Sequence, residues 1–147
     1  MMTTHDSAPS ARLLERALWC GLVLGSAAVL FIGAMLEPDA RGYGTHAQLG
    51  LPPCGFLSWT GCPCPGCGLT TAFAHAVRGE WLSAAAANPL GLALFVVVCA
   101  SIPFGVVAVL RNWTFDSVFD RIAIGRWALA VAGCALAVWV ARIATVL

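Results

Sequence analysis

Charge is what this sequence has least of. Of its 147 residues only 10% are charged, where soluble domains carry roughly 25%. Lysine is missing altogether. All eight basic residues are arginine, a bias of composition that singles out no site. The formal net charge is +1, which gives no footing to nucleic acid or to strongly acidic partners. Hydrolase signatures are missing too. No G-x-S-x-G, H-E-x-x-H or Walker loop occurs, which argues against serine, zinc and phosphoryl hydrolases. Apolar residues fill the chain instead: 60% are hydrophobic, with a mean hydropathy of +0.86. A soluble chain of this length buries only about 68–70% of its unfolded surface, too little to hide so much hydrocarbon. A bilayer removes the problem by acting as apolar solvent.

The pattern predicts an all-α integral membrane protein with three transmembrane helices. Ala17 to Leu36 is an uncharged apolar run of 20 residues between Arg16 and Glu37, and about 20 residues cross the hydrocarbon core. It is longer and starts later than the apolar part of a signal peptide, which spans roughly 7–15 residues, so it reads as a retained anchor. The second span covers about 89–110. Asn88-Pro89 opens it, with Asn88 as N-cap and Pro89 at the first helical position. Pro103 lies inside it. The third span covers 127–147. The remaining pieces are a disordered tail over 1–16, a cysteine-rich loop over 37–68, a short interfacial helical segment over 69–87, and a loop with an amphipathic helix over 111–126. Small residues such as Gly21, Gly25, Ala28, Ala130, Gly133 and Ala137 let the spans approach closely. With the N-terminus inside, the inner segments hold five arginines and the outer ones three. That count places the cysteine-rich loop outside the cytoplasm.

Four of the seven cysteines fall between Cys54 and Cys67. The centre of the segment is Cys64-Pro65-Gly66-Cys67-Gly68. In a C-P-x-C-G turn the two sulfurs converge on one point, and Gly68 permits a positive φ there. Half of a tetrahedral zinc site is built this way. The predicted metal ligands are Cys54, Cys64 and Cys67, with Cys62 or His75 as the fourth and His46 in reserve. A short helix then runs from about Leu69 to Val77. Its spacing puts Cys67, Thr71, His75 and Arg78 on one face and Leu69, Ala72, Phe73, Ala76 and Val77 on the other. It is therefore expected to lie on or dip into the membrane, with its polar face turned to a site or to water. The same C-x-x-C at a helix N-terminus also suits redox chemistry, and an extracytoplasmic loop permits structural disulfides.

Cys64-Pro-Gly-Cys67-Gly68-Leu-Thr70, Arg78-Gly79-Glu80 and Asn88-Pro89-Leu90 together resemble the bacterial domain-of-unknown-function family 2752. Its approximate pattern is C-P … T-G-x-x-C-P-G-C-G-x-T-R-A … G-D … A … N-P. Cys54 and Thr60-Gly61 fit the upstream part. Here Gly55 follows Cys54 in place of proline, Thr71 replaces an arginine, Glu80 replaces an aspartate, and Cys62-Pro63 adds a cysteine. The resemblance implies a small multi-pass protein of the bacterial cytoplasmic membrane and supplies no activity. Three functional readings follow. One is a non-enzymatic membrane protein with a zinc knuckle. Another is a membrane thiol–disulfide oxidoreductase with Cys64 and Cys67 as the active pair and Cys54 with Cys62 as shuttle. The last is an accessory subunit of a membrane assembly, whose partner is another membrane protein or a second copy of the chain.

Overall fold

The computed structural model describes residues 9–115, 118 and 124–144. Every regular element among them is helical. Helix α1 spans Pro9–Met35. A single-turn helix, η1, follows at Thr45–Leu49, then α2 at Gly55–Thr60, α3 at Leu69–Val77, α4 at Trp81–Ala87 and α5 at Pro89–Arg111. Helix α6 spans Ile124–Ala144.

Two of these helices, α1 and α5, are long and apolar enough to cross a membrane. Their surfaces support that reading better than a soluble core would. Leu24 is 70% exposed, Phe31 66% and Val97 61%, whereas a soluble core helix of this hydropathy would hide such side chains. The outward apolar surface is compatible with a bilayer. The expected third span is not met on the same terms. Helix α6 contains a shorter apolar run, Leu129–Val140, and contacts α5 only sparsely. The amphipathic helix expected around Phe115 to Ile122 lies largely outside the described residues. Helix α1 also starts before the apolar run, at Pro9, so Arg12, Glu15 and Arg16 stand on its first turns and not in a tail.

Helices α1 and α5 run antiparallel. Near the start of α1, Trp19 stacks on Phe115 with ring centroids 4.0 Å apart and meets Phe104 edge-on. Its indole N–H donates to the Trp113 carbonyl at 2.8 Å. Midway along, the Ser26 and Ser101 hydroxyls bond at 2.7 Å. The close approach occurs at Gly105, where an added Cβ would lie 2.6 Å from Val23 Cγ2. Gly21, Gly25 and Gly133 have no neighbour within 4 Å of that position, so the expected packing on those small residues is not the one used.

Helices α3 and α4 pack at the far end of this pair. Ala72, Ala76, Ala84, Ala87 and Phe95 form one buried cluster, and Phe73 and Val77 lean on Gly33 of α1. Helix α3 is therefore a packed element and not a float on the membrane. Thr71 and Ala74 are as buried as Ala72, while Cys67 and Thr71 of the expected polar face line a cleft and Arg78 is exposed. The segment 69–87 is also two helices, broken at Gly79, whose φ is +78°. Just before the break, Arg78 reaches back to α1. Its Nη1 donates to the carbonyls of Ala74 at 2.7 Å and Gly33 at 3.4 Å, and its Nη2 to that of Ala34 at 3.1 Å. Carbonyls in the last turn of a helix have no partner within it. The guanidinium supplies one, and its charge suits the negative end of the helix dipole.

Candidate metal centre

Three local structures bring the sulfurs together. Cys54 is the N-cap residue of α2, with φ −59° and ψ 113°. Its thiol faces the amides of Leu57 and Phe56, and the Leu57 amide above all holds its pKa below the ordinary thiol value. Cys64 and Cys67 flank a tight turn closed by the Cys67 amide on the Cys64 carbonyl at 3.0 Å. Gly68 then caps α3 with φ +88°. A Cβ there would lie 2.5 Å from the Ala87 carbonyl oxygen and 2.7 Å from that of Gly42. Glycine is required both for the dihedral and for the space.

The Sγ atoms of Cys54 and Cys64 are 3.6 Å apart, and those of Cys64 and Cys67 are 3.3 Å apart. All three lie within 4.8 Å of one another. A Zn–S bond of about 2.3 Å places tetrahedral sulfurs about 3.8 Å apart, so the trio fits a metal ion with small shifts. Burial pushes the Cys67 thiol up to about 12, helped by its hydrogen bond with Cys64. A soft thiophilic cation would displace that proton. No disulfide joins any of the seven cysteines, all of which are among the described residues.

The trio opens onto a cleft of about 200 Å³. Its wall also includes Arg41, Tyr43, His46, Thr70 and Thr71. Arg41 makes two bonds to the Asp39 carboxylate, at 3.0 and 2.8 Å, and its guanidinium stands 5.4 Å from the Tyr43 ring centroid. That pairing holds the Asp39 carboxyl down at about 2.

Of the residues singled out in the sequence, Cys54, Cys64 and Cys67 come together. Cys62 is half-buried but outside the sulfur group; its amide is turned to the Thr60 hydroxyl at 3.2 Å. His75 is paired through Nδ1 with the Glu80 carboxylate. Thr70 stands on the cleft wall, Gly79 at the helix break, and Pro89 at the start of α5.

Asn88 does more than the cap its sequence position announces. It is 1% exposed. Its Oδ1 accepts the Gly91 amide at 3.1 Å, which is the cap. Its Nδ2 donates to the carbonyls of Pro65 at 3.1 Å and Cys67 at 3.0 Å. One side chain thus joins the first turn of α5 to the backbone of the sulfur turn. Asn-Pro is legible as a helix start, but nothing in the spacing announces a bond 21 residues back. The Thr45–Thr71 hydroxyl pair, 2.8 Å apart and buried, was equally silent, because each threonine reads alone as a loop or helix residue.

Neither a curated protein nor a solved structure matches this chain. The model of one family, described as a protein of unknown function (DUF2752), matches residues 54–102. That stretch begins at the first sulfur of the trio and ends midway along α5, and over it the chain resembles the DUF2752 family.

Proposed function

We propose that this chain is a small multi-pass protein of a bacterial cytoplasmic membrane that holds a structural zinc ion at one membrane face and is not an enzyme. The observation that carries the reading is the convergence of Cys54, Cys64 and Cys67 within 4.8 Å. Three thiols from two separate turns do not meet by chain proximity alone. A buried amide, Asn88, braces one of those turns, which is how rigid ligand geometry is maintained.

The third span belongs to the same reading. Trp139 of α6 donates its indole N–H to the Pro63 carbonyl at 2.9 Å and meets Phe56 edge-on at 6.1 Å. Residue 139 therefore stands at the sulfur end, while α5 ends near the start of α1. From residue 124 to residue 139 a helix rises about 22 Å at ~1.5 Å per residue, most of the ~30 Å hydrocarbon core, which supports a third crossing. The arginine count sets the sulfur end outside the cytoplasm.

Elemental analysis of reduced protein purified without chelator tests the site. One equivalent of zinc in the wild type, and none in Cys64→Ser, is the expected result. A metal-free wild type overturns it. The Cys64–Cys67 separation of 3.3 Å at the start of α3 favours one rival, a membrane thiol–disulfide oxidoreductase. A reduction potential for that pair below roughly −300 mV, typical of inert structural bonds, removes the rival.

A further inference from the structure

Three sulfurs leave one corner of a tetrahedral site to be filled. His46 lines the same cleft as Cys54, Cys64 and Cys67, and its backbone is held there. The preceding residue, Thr45, is 1% exposed. Its hydroxyl bonds that of Thr71, on α3, at 2.8 Å, and accepts the Asp39 amide at 3.0 Å. Gln48 adds a second tie, donating to the Glu37 carbonyl at 2.7 Å and accepting the Glu37 amide at 3.1 Å. These bonds hold η1 against α3 and against the end of α1, and residue 46 stays on the cleft wall.

A polar contact fixes the tautomer of the ring. His46 Nε2 lies 3.2 Å from the Pro52 carbonyl oxygen. A carbonyl only accepts, so Nε2 carries the proton. In the neutral ring the lone pair is then on Nδ1. Metal-binding histidines are typically oriented this way, the second ring N–H held by a backbone carbonyl or carboxylate. The other two candidates are less well placed. His75 is engaged by Glu80, and neither His75 nor Cys62 is among the residues that line the cleft.

Resting on the zinc reading above, we propose that His46 is the fourth ligand and closes a Cys₃His site through Nδ1. Its ring nitrogens lie outside the group of atoms within 4.8 Å of one another, so ligation would require the imidazole to turn inward about its side-chain torsions from the pose that meets Pro52. The ion then ties η1 to α2 and α3. With four protein ligands the site is closed and structural, with no corner left for water or substrate.

X-ray absorption on the zinc-loaded full-length protein in detergent, with zinc competition titrations, tests this. Three sulfur neighbours and one nitrogen are expected in the wild type. His46→Ala should replace the nitrogen by oxygen and weaken zinc binding on the order of 100-fold, given that lost outer partners alone cost 10–100-fold. Cys62→Ser and His75→Ala should keep both the nitrogen and the affinity. Four sulfurs, three sulfurs with an oxygen in the wild type, or a nitrogen that survives His46→Ala, each overturns the assignment of His46 and leaves the zinc site standing. A wild type that takes up no zinc overturns the site itself. His46→Asn, with helicity followed by circular dichroism, separates loss of a ligand from loss of fold.

Discussion

Replacing Asn88 by aspartate separates its two duties, because the two side chains have the same shape. The carboxylate keeps the acceptor that caps α5, now at 3.1 Å from the Gly91 amide. It loses both donors, the bonds of 3.1 and 3.0 Å to the carbonyls of Pro65 and Cys67. Each such bond is worth about 1 kcal/mol net, and a buried carbonyl left without a partner costs about 1–3 kcal/mol. A carboxyl kept neutral by burial regains one of the two bonds at most. The expected loss is about 3 kcal/mol in the ordering of the sulfur turn, which corresponds to a zinc affinity weakened on the order of 100-fold. Competition against a chelator of known affinity reads this directly, and circular dichroism should show the helices intact. Asn88→Ala should lose the cap as well, a further ~1 kcal/mol. Asn88→Asp that binds zinc within about threefold of the wild type, on a scale where 1.4 kcal/mol is tenfold, would refute the claim that this amide braces the site.

Four further outcomes follow from the same geometry. Gly68→Ala forces a Cβ to 2.5 Å from the Ala87 oxygen at a φ of +88°; a loss of at least about 2 kcal/mol should appear as a lower unfolding temperature in detergent. Arg78→Ala strips the partners from the carbonyls of Gly33 and Ala34 and should cost about 1–3 kcal/mol in the same assay. Trp139→Phe keeps an aromatic side chain but loses the indole bond to Pro63, and at least about 1 kcal/mol with it; an unchanged unfolding temperature would mean that α6 does not dock there. For pH, the Cys67 thiol stands near 12 against an ordinary value of 9.0. A raised folded value stabilises below the unfolded pKa and is lost as pH climbs towards the folded one. The metal-free protein should therefore weaken between pH 9 and 12, while zinc binding near pH 7 should release protons and tighten as pH rises, measurable by calorimetry in buffers of different ionisation heat.

The helices of this chain were legible where hydrophobicity alone decides them. The apolar run from Ala17 and the Asn88-Pro89 start each fix a helix by composition and a local cap. The knuckle was legible as well, since Cys64-Pro65-Gly66-Cys67-Gly68 carries its turn chemistry in five neighbouring residues. What could not be read is what depends on contacts between distant segments. Helix α3 has an amphipathic pattern, yet its threonine face packs against η1 and its alanines against α4 and α5. Periodicity reports polarity, and a buried hydroxyl pair looks the same in it as a solvated one. Arg78 falls on the predicted polar face of α3, but its partners are 44 and 45 residues away. The fourth ligand stays open among Cys62, His75 and His46 for the same reason, because spacing along the chain does not say which side chain faces the cleft.

The span between Cys67 and Asn88 also sets a clock. During synthesis the sulfur turn is made 21 residues before the amide that holds its backbone. At 5–20 residues per second, the ribosome leaves an interval of about 1 to 4 seconds in which these thiols exist without their support. Oxidants, or a metal of the wrong kind, meet a loose peptide in that interval and a rigid cup afterwards. On the metal reading proposed above, the ion that these thiols take would depend partly on how quickly residue 88 follows.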